Sequence, residues 1–125
     1  MTSSISVLYI DDDASNLDTV LRVLTRHGYT VIIARTGTEG LAKALEEHPD
    51  VILLDIVLPD IDGFEVCQQI RTTPEIADTP IIGLSGNTMH GDRQRGLSAG
   101  FDAYLAKPIM RLELLNAIER LNLDD

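Results

Sequence analysis

Val51-Ile52-Leu53-Leu54-Asp55 runs four apolar residues into one carboxylate, and Ile56-Val57-Leu58-Pro59-Asp60-Ile61-Asp62-Gly63 follows it. Four consecutive apolar residues fit a strand buried on both faces, as in a parallel sheet covered by helices. Pro59 and Gly63 close the stretch with turn chemistry. Asp55 therefore stands where the strand leaves the core, and in an open α/β sheet ligands bind outside that carboxyl edge. A lone Asp after an apolar run is also a common strand terminator, so the decision rests on what else the chain brings to the same edge.

Upstream, the apolar run Ile5–Ile10 predicts a first strand, ending in Asp11-Asp12-Asp13. Leu17, Val20, Leu21 and Leu24 then fall at helical spacing within 14–26, with Gly28 suited to the residue after the helix. Asp13 fits an acid at the start of that helix. Tyr29–Ala34 predicts a second strand. Thr36-Gly37-Thr38-Glu39 has capping-box spacing, and Leu41, Ala42, Ala44 and Leu45 carry the helix on to Pro49. Downstream, Phe64, Cys67 and Ile70 repeat the helical pattern, which makes Cys67 a core residue. Ile81-Ile82-Gly83-Leu84 predicts a fourth strand, ending at Ser85-Gly86-Asn87. A weak helix, with Gly96 inside it, is expected over 92–99. Ala103-Tyr104-Leu105 predicts a fifth strand before Lys107-Pro108, and Leu112, Leu115, Ile118 and Leu121 mark a final helix. Met89 and Met110 are read as packing residues, and His27, His48 and His90 as scattered residues without chemistry.

Five βα units of this kind predict a parallel sheet with helices on both faces, joined by right-handed crossovers. The 125 residues suit a single domain, with no output domain attached. A net charge of -10 would repel a phosphate backbone, so nucleic acid is not an expected partner. One cysteine permits no internal disulfide, no leader pattern is seen, and no apolar run approaches the ~20 residues that span a bilayer. A cytoplasmic protein without membrane insertion is expected.

In the doubly wound order 2-1-3-4-5 a crevice opens between strands one and three. Asp11 and Asp12 would then meet Asp55, with Ser85 and Lys107 at the ends of strands four and five. Three carboxylates that close must take up protons or bind a cation, and an all-oxygen donor set suits Mg²⁺. A hydroxyl and an ammonium opposite that cation would suit a small dianion such as a phosphoryl group.

Val7-Leu8-Tyr9-Ile10-Asp11-Asp12, Leu53-Leu54-Asp55-Ile56-Val57-Leu58-Pro59 with Asp62-Gly63, Ile81-Ile82-Gly83-Leu84-Ser85-Gly86, Ala99-Gly100-Phe101-Asp102-Ala103-Tyr104-Leu105 and Lys107-Pro108-Ile109 together resemble the receiver domain of two-component response regulators. The resemblance covers essentially the whole chain. It implies a flavodoxin-like domain with a five-stranded parallel sheet, order 2-1-3-4-5, and five helices. It implies a phosphorylation-activated switch, fed by a histidine kinase or a histidine phosphotransfer protein and read by an unknown downstream protein. The domain would be no enzyme beyond catalysing its own phosphorylation and dephosphorylation. Asp55 would be the phosphoacceptor. Asp12, Asp55 and the backbone carbonyl of Val57 would bind Mg²⁺, or Mn²⁺, directly, with Asp11 acting through water. Ser85 and Lys107 would hold phosphoryl oxygens. Tyr104 would be an aromatic switch coupled to Ser85. The output surface would be the helix over 92–99, strand five and the final helix, and a cis Lys107-Pro108 bond is implied.

Ser85 replaces the commoner Thr and Gly86 the usual Ala, while Val57 cannot position an attacking water and Asn87 could. The span from Ile81 to Pro108 looks more like single-domain regulators and hybrid histidine kinase receivers than like transcription factors. Two other readings stand beside this one. Asp11-x-Asp13 loosely matches the D-x-D motif of haloacid-dehalogenase-type phosphatases, which would leave Asp55, Ser85 and Lys107 unexplained. A degenerate receiver serving as a scaffold would not need the intact acid, hydroxyl and lysine set.

Overall fold

The computed structural model describes residues 5–86 and 100–123. In chain order they form β1 (Ser6–Ile10), α1 (Ala14–Arg26), β2 (Thr30–Ala34), α2 (Gly37–Glu47), β3 (Val51–Asp55), α3 (Gly63–Arg71), β4 (Ile81–Ser85), β5 (Ala103–Ala106) and α4 (Arg111–Leu123). The helix expected over 92–99 lies outside the described residues, as do Asn87, Met89 and His90. The five strands make one parallel sheet in the expected order β2-β1-β3-β4-β5.

Strand alternation sorts the core into two layers. Leu8, Ile10, Ile52 and Leu54 join Ala44 of α2 and Phe64, Val66, Cys67 and Ile70 of α3 on one face. Val7, Tyr9, Val51 and Leu53 join Leu17, Val20 and Leu24 of α1 and Leu114, Leu115 and Ile118 of α4 on the other. Val51 to Leu54 are fully buried, as a strand covered on both faces requires. Each such Leu or Ile contributes about 1.5–3 kcal/mol by burial, which lets the central strands carry an acidic edge.

The caps follow the local sequence. Asp13 Oδ1 accepts from the amides of Ser15 (2.9 Å) and Asn16 (3.4 Å), capping α1 as expected. Gly28, with φ of +92°, takes the left-handed position after that helix. Thr36 Oγ1 accepts from the Glu39 amide at 3.0 Å. Glu39 reaches back to the amide of Arg35 (2.8 Å), one residue beyond the partner a strict capping box would use.

The helices expected around residues 41–45 and 112–121 form, with buried faces that their apolar residues do not fully mark, and one expectation about packing is corrected. The buried face of α2 is Gly37, Gly40 and Ala44, whereas Leu45 is 43% exposed. A Cβ on Gly40 would overlap the Ile10 side chain, so small residues seat α2 close against β1. Leu112 is 67% exposed because α4 turns Leu114, Leu115 and Ile118 inward instead. Met110, just before α4, is exposed rather than packed.

Candidate functional site at the carboxyl edge

The sheet ladder extends one residue beyond several strand ends and carries the polar residues with it. The Asp11 amide donates to Ala34 O (3.0 Å), Ile56 N to Leu84 O (2.9 Å) and Lys107 N to Ser85 O (2.7 Å). Asp11, Asp55 and Lys107 therefore stand on backbone fixed by the sheet.

Asp11 shares the strand face of Tyr9 two residues earlier, and Tyr9 Oη donates to Asp11 Oδ2 at 2.7 Å. Asp11 Oδ1 accepts from the Asp13 amide at 3.0 Å. Burial favours the protonated form of Asp11, but these two donors and the Lys107 charge outweigh it and hold the carboxyl below its ordinary range. Burial pushes the Tyr9 phenol well up, and its bond to Asp11 adds to that, so Tyr9 stays a donor.

Asp55 accepts from the Val57 amide on Oδ1 (3.1 Å) and from Lys107 Nζ on Oδ2 (3.0 Å). Burial pushes its carboxyl up to about 6, with the neighbouring Asp11 charge adding to the effect and Lys107 opposing it. Lys107 Nζ is also 3.3 Å from Asp11 Oδ2. Burial disfavours that ammonium, yet its bond to Asp55 and the two carboxylate charges leave its pKa raised. Asp12 is exposed, and Asp11, Asp12 and Asp55 each offer a carboxylate oxygen within 4.8 Å of the others. Three acids against one ammonium leave excess negative charge, and an all-oxygen donor set fits a hard divalent cation such as Mg²⁺.

Ser85, 3% exposed, ends β4 directly after Leu84, the register partner of Asp55. Tyr104 pairs with Gly83 across β4 and β5, and its ring lies 6.1 Å from that of Phe101. Its hydroxyl is buried without a hydrogen-bond partner among the described residues. Val57 is 75% exposed. The Lys107-Pro108 bond is cis. Gly86 is exposed, and an added Cβ would meet nothing within 4 Å. Gly63 lies so close beneath the acceptor strand that a Cβ would approach the Asp55 carbonyl oxygen to 2.5 Å and Ile56 Cα to 2.6 Å.

Two residues escaped the sequence reading. Tyr9 looked like one more apolar residue of strand one, although its two-residue spacing from Asp11 gives the shared face. Asp60 drew no reading of its own between the turn residues Pro59 and Gly63. It accepts from Gly37 N (2.8 Å), Thr38 N (2.9 Å) and Thr38 Oγ1 (2.7 Å), across the top of the sheet. No local pattern reports that pairing.

A doubly wound parallel sheet with acids ending β1 and β3 and a lysine just past β5 defines an α/β domain with an acidic, lysine-bridged site at its topological switch point. The family model for the response regulator receiver domain matches residues 7–119, and the chain belongs to that family. It is thus a signal-transduction domain of the two-component type, and the haloacid-dehalogenase reading falls away. It is 40% identical over 112 residues to the response regulator MprA of Mycobacterium ulcerans, covering 90% of this chain and 47% of that protein. The chain spans about half the length of the curated relatives it matches. The chemotaxis response regulator CheY4 of Vibrio cholerae superposes with a TM-score of 0.89 at 34% identity, covering 95% of this chain and 99% of that one. The receiver domain of the sensor histidine kinase PA1611 from Pseudomonas aeruginosa, solved with a magnesium ion coordinated in its active-site cleft, superposes at 0.88 with 33% identity, covering 95% and 98%. No helix among the described residues is long and apolar enough to cross a membrane.

Proposed function

We propose that Asp55 accepts a phosphoryl group from a histidine kinase or a histidine phosphotransfer protein, and that residues 1–125 act as one receiver domain. The observation that carries this reading is the ammonium of Lys107 set 3.0 Å from one oxygen of a nearly buried carboxylate. An Asp55 oxygen attacks phosphorus, an acyl phosphate forms, and the bond from phosphorus to the donor nitrogen breaks. Lys107 then transfers its contact from the carboxylate to a phosphoryl oxygen, and the Ser85 hydroxyl takes another. Asp12, Asp55 and the Val57 carbonyl would hold Mg²⁺ or Mn²⁺, with Asp11 adding negative charge beside them. When bound, that cation supplies positive charge against the oxygens of the transferring group.

Asp11 does not suit the nucleophile's role, because its oxygens already accept from Tyr9 and the Asp13 amide and it has no exposed surface. Asp13 is occupied as the cap of α1. The domain catalyses only its own phosphorylation and dephosphorylation, in the cytoplasm, and with a charge of -10 it does not bind nucleic acid itself.

The output is a change in the surface that includes β5 and α4, where Tyr104, Leu105, Glu113, Asn116 and Arg120 line a groove. Ser85 moves towards the phosphoryl group and Tyr104 responds to the space it leaves. Phosphorylation biases an equilibrium that exists beforehand. Incubation with phosphoramidate and Mg²⁺ tests the reading. One phosphoryl group should be added to the unaltered protein and none to Asp55→Asn. Labelling of the variant at the normal rate would move the acceptor elsewhere.

A further inference from the structure

Residues 57–62 leave the acceptor strand and enter α3 through a narrow neck. Gly63 N donates to Ile56 O at 2.8 Å, and Asp62 caps α3 through the Phe64 amide at 2.7 Å. Those two ties hold the loop only to its own flanking elements. Leu58 and Ile61 pack partly against the core, whereas the Val57 side chain stands in solvent and fixes nothing. Asp60 is different, because its carboxylate takes three hydrogen bonds from the first turn of α2. A negative charge is favourable at a helix N-terminus, where amides are unpaired. The Thr38 hydroxyl and the two amides hold the Asp60 carboxyl well below its ordinary range, so it remains an acceptor throughout the working pH range. Gly37 lets the loop close in, since a Cβ there would stand 2.9 Å from Val66 Cγ2 and 3.3 Å from Asp60 Oδ1.

We infer that Asp60 is a positioning residue for the cation site: by hooking the 57–62 loop to the start of α2, it sets where the Val57 carbonyl stands relative to Asp55. This rests on the reading of Asp12, Asp55 and Val57 as cation ligands. Partners one step behind metal ligands affect metal affinity strongly, and their loss typically costs about 10- to 100-fold. Thr36→Ala supplies the comparison. Thr36 caps the same helix through the Glu39 amide but has no bond to the loop.

The test is calorimetric titration of the intact chain with Mg²⁺, together with phosphoramidate labelling across Mg²⁺ concentrations. Asp60→Ala should weaken Mg²⁺ binding about tenfold. The Mg²⁺ needed for half-maximal labelling should rise in step, while the rate at saturating Mg²⁺ stays within about twofold of normal. Asp60→Asn, which keeps one acceptor oxygen, should fall between the two and carries the comparison if the alanine variant melts too low. Without metal, amide exchange at residues 37, 38 and 57–61 should quicken in Asp60→Ala, whereas Thr36→Ala should leave residues 57–61 and Mg²⁺ affinity unchanged. Equal Mg²⁺ affinity in the unaltered protein and both Asp60 variants would overturn the inference, as would an equal loss in Thr36→Ala. An unaltered protein that takes up no Mg²⁺ at millimolar concentration would instead overturn the reading of the site beneath it.

Discussion

Lys107 Nζ lies 3.0 Å from Asp55 Oδ2, although 52 residues separate the two in the chain. The pairing spans β3, β4 and β5 and exists only because the strands are parallel and in this order. The same ammonium is 3.3 Å from Asp11, so one cation holds two buried acids together.

Lys107→Ala removes that cation and leaves two carboxylates facing each other. Breaking a buried pair is more costly than the pair is worth, and discounting for the partial exposure of Lys107 gives a loss of about 2 kcal/mol at pH 8. The Asp55 pKa should climb above its value of about 6 in the intact site. Urea melts with and without Mg²⁺ check this, because the cation should recover part of the loss. A variant as stable as the parent without metal would show that the ammonium does not hold the site together.

The raised pKa of Asp55 has a definite sign. A carboxyl that titrates at about 6 when folded and at 3.8 when unfolded adds stability below 3.8, and that stability disappears as pH rises through 6. Asp11 is shifted downward and acts in the opposite sense, contributing above its unfolded pKa and losing that contribution in acid. Asp55→Asn should therefore raise the metal-free melting temperature at pH 8 by roughly 4 °C, equivalent to about 1 kcal/mol, and the gain should vanish towards pH 4. Mg²⁺ bound beside Asp55 favours the carboxylate, so the cation should move this titration downward and shrink the gain seen in Asp55→Asn at pH 8. Equal metal-free melting temperatures for the parent and Asp55→Asn at every pH from 8 to 4 would contradict that assignment.

Most of this site was legible in the sequence, for a physical reason. The polar residues end apolar runs, and a parallel sheet brings all such ends to one edge, so Asp11, Asp55, Ser85 and Lys107 could be grouped before any contact was known. The helix starts at Asp13 and Thr36 were legible because capping is local. The face of α2 was not, since Gly37 and Gly40 pack by lacking a side chain, which a search for apolar stripes passes over. Leu112 misled for the converse reason, an apolar residue at plausible spacing that faces solvent. Asp60 was hidden because its partners lie more than twenty residues away on another helix.

Tyr104 carries a buried hydroxyl without a partner among the described residues. Leaving such a group unsatisfied costs about 1–3 kcal/mol. Tyr104→Phe should accordingly be neutral or stabilising by about 1 kcal/mol in thermal melts, while Gly83→Ala should be destabilising. A Cβ at Gly83 would come within 2.8 Å of the Phe101 ring and 2.9 Å of the Tyr104 ring. Overpacking of that kind costs about 1–3 kcal/mol. A clear loss of stability in Tyr104→Phe would mean that the hydroxyl is bonded in solution.

Arg71, at the other end of the sheet, donates to Ala77 O, Thr79 O, Gly100 O and Asp102 Oδ2. Asp102 also accepts from the Ile81 amide, so Arg71 ties the end of α3 to the starts of β4 and β5. Arg71→Ala should cost about 3 kcal/mol in urea denaturation, from several unsatisfied carbonyls. Labelling of Asp55 in the folded variant should stay within about twofold of normal, because no bond of Arg71 reaches the acidic edge. A stability change below about 0.5 kcal/mol would mean that water replaces the guanidinium without loss.

The central claim is that Asp55 carries the phosphoryl group. Borohydride reduces an acyl phosphate on aspartate to homoserine, which marks the modified position covalently. After phosphoramidate and Mg²⁺, reduction followed by peptide sequencing should place homoserine at position 55 alone, and omitting either reagent should abolish it. Homoserine at position 11 or 13, or none at 55 in protein that has gained a phosphoryl group, would contradict the account.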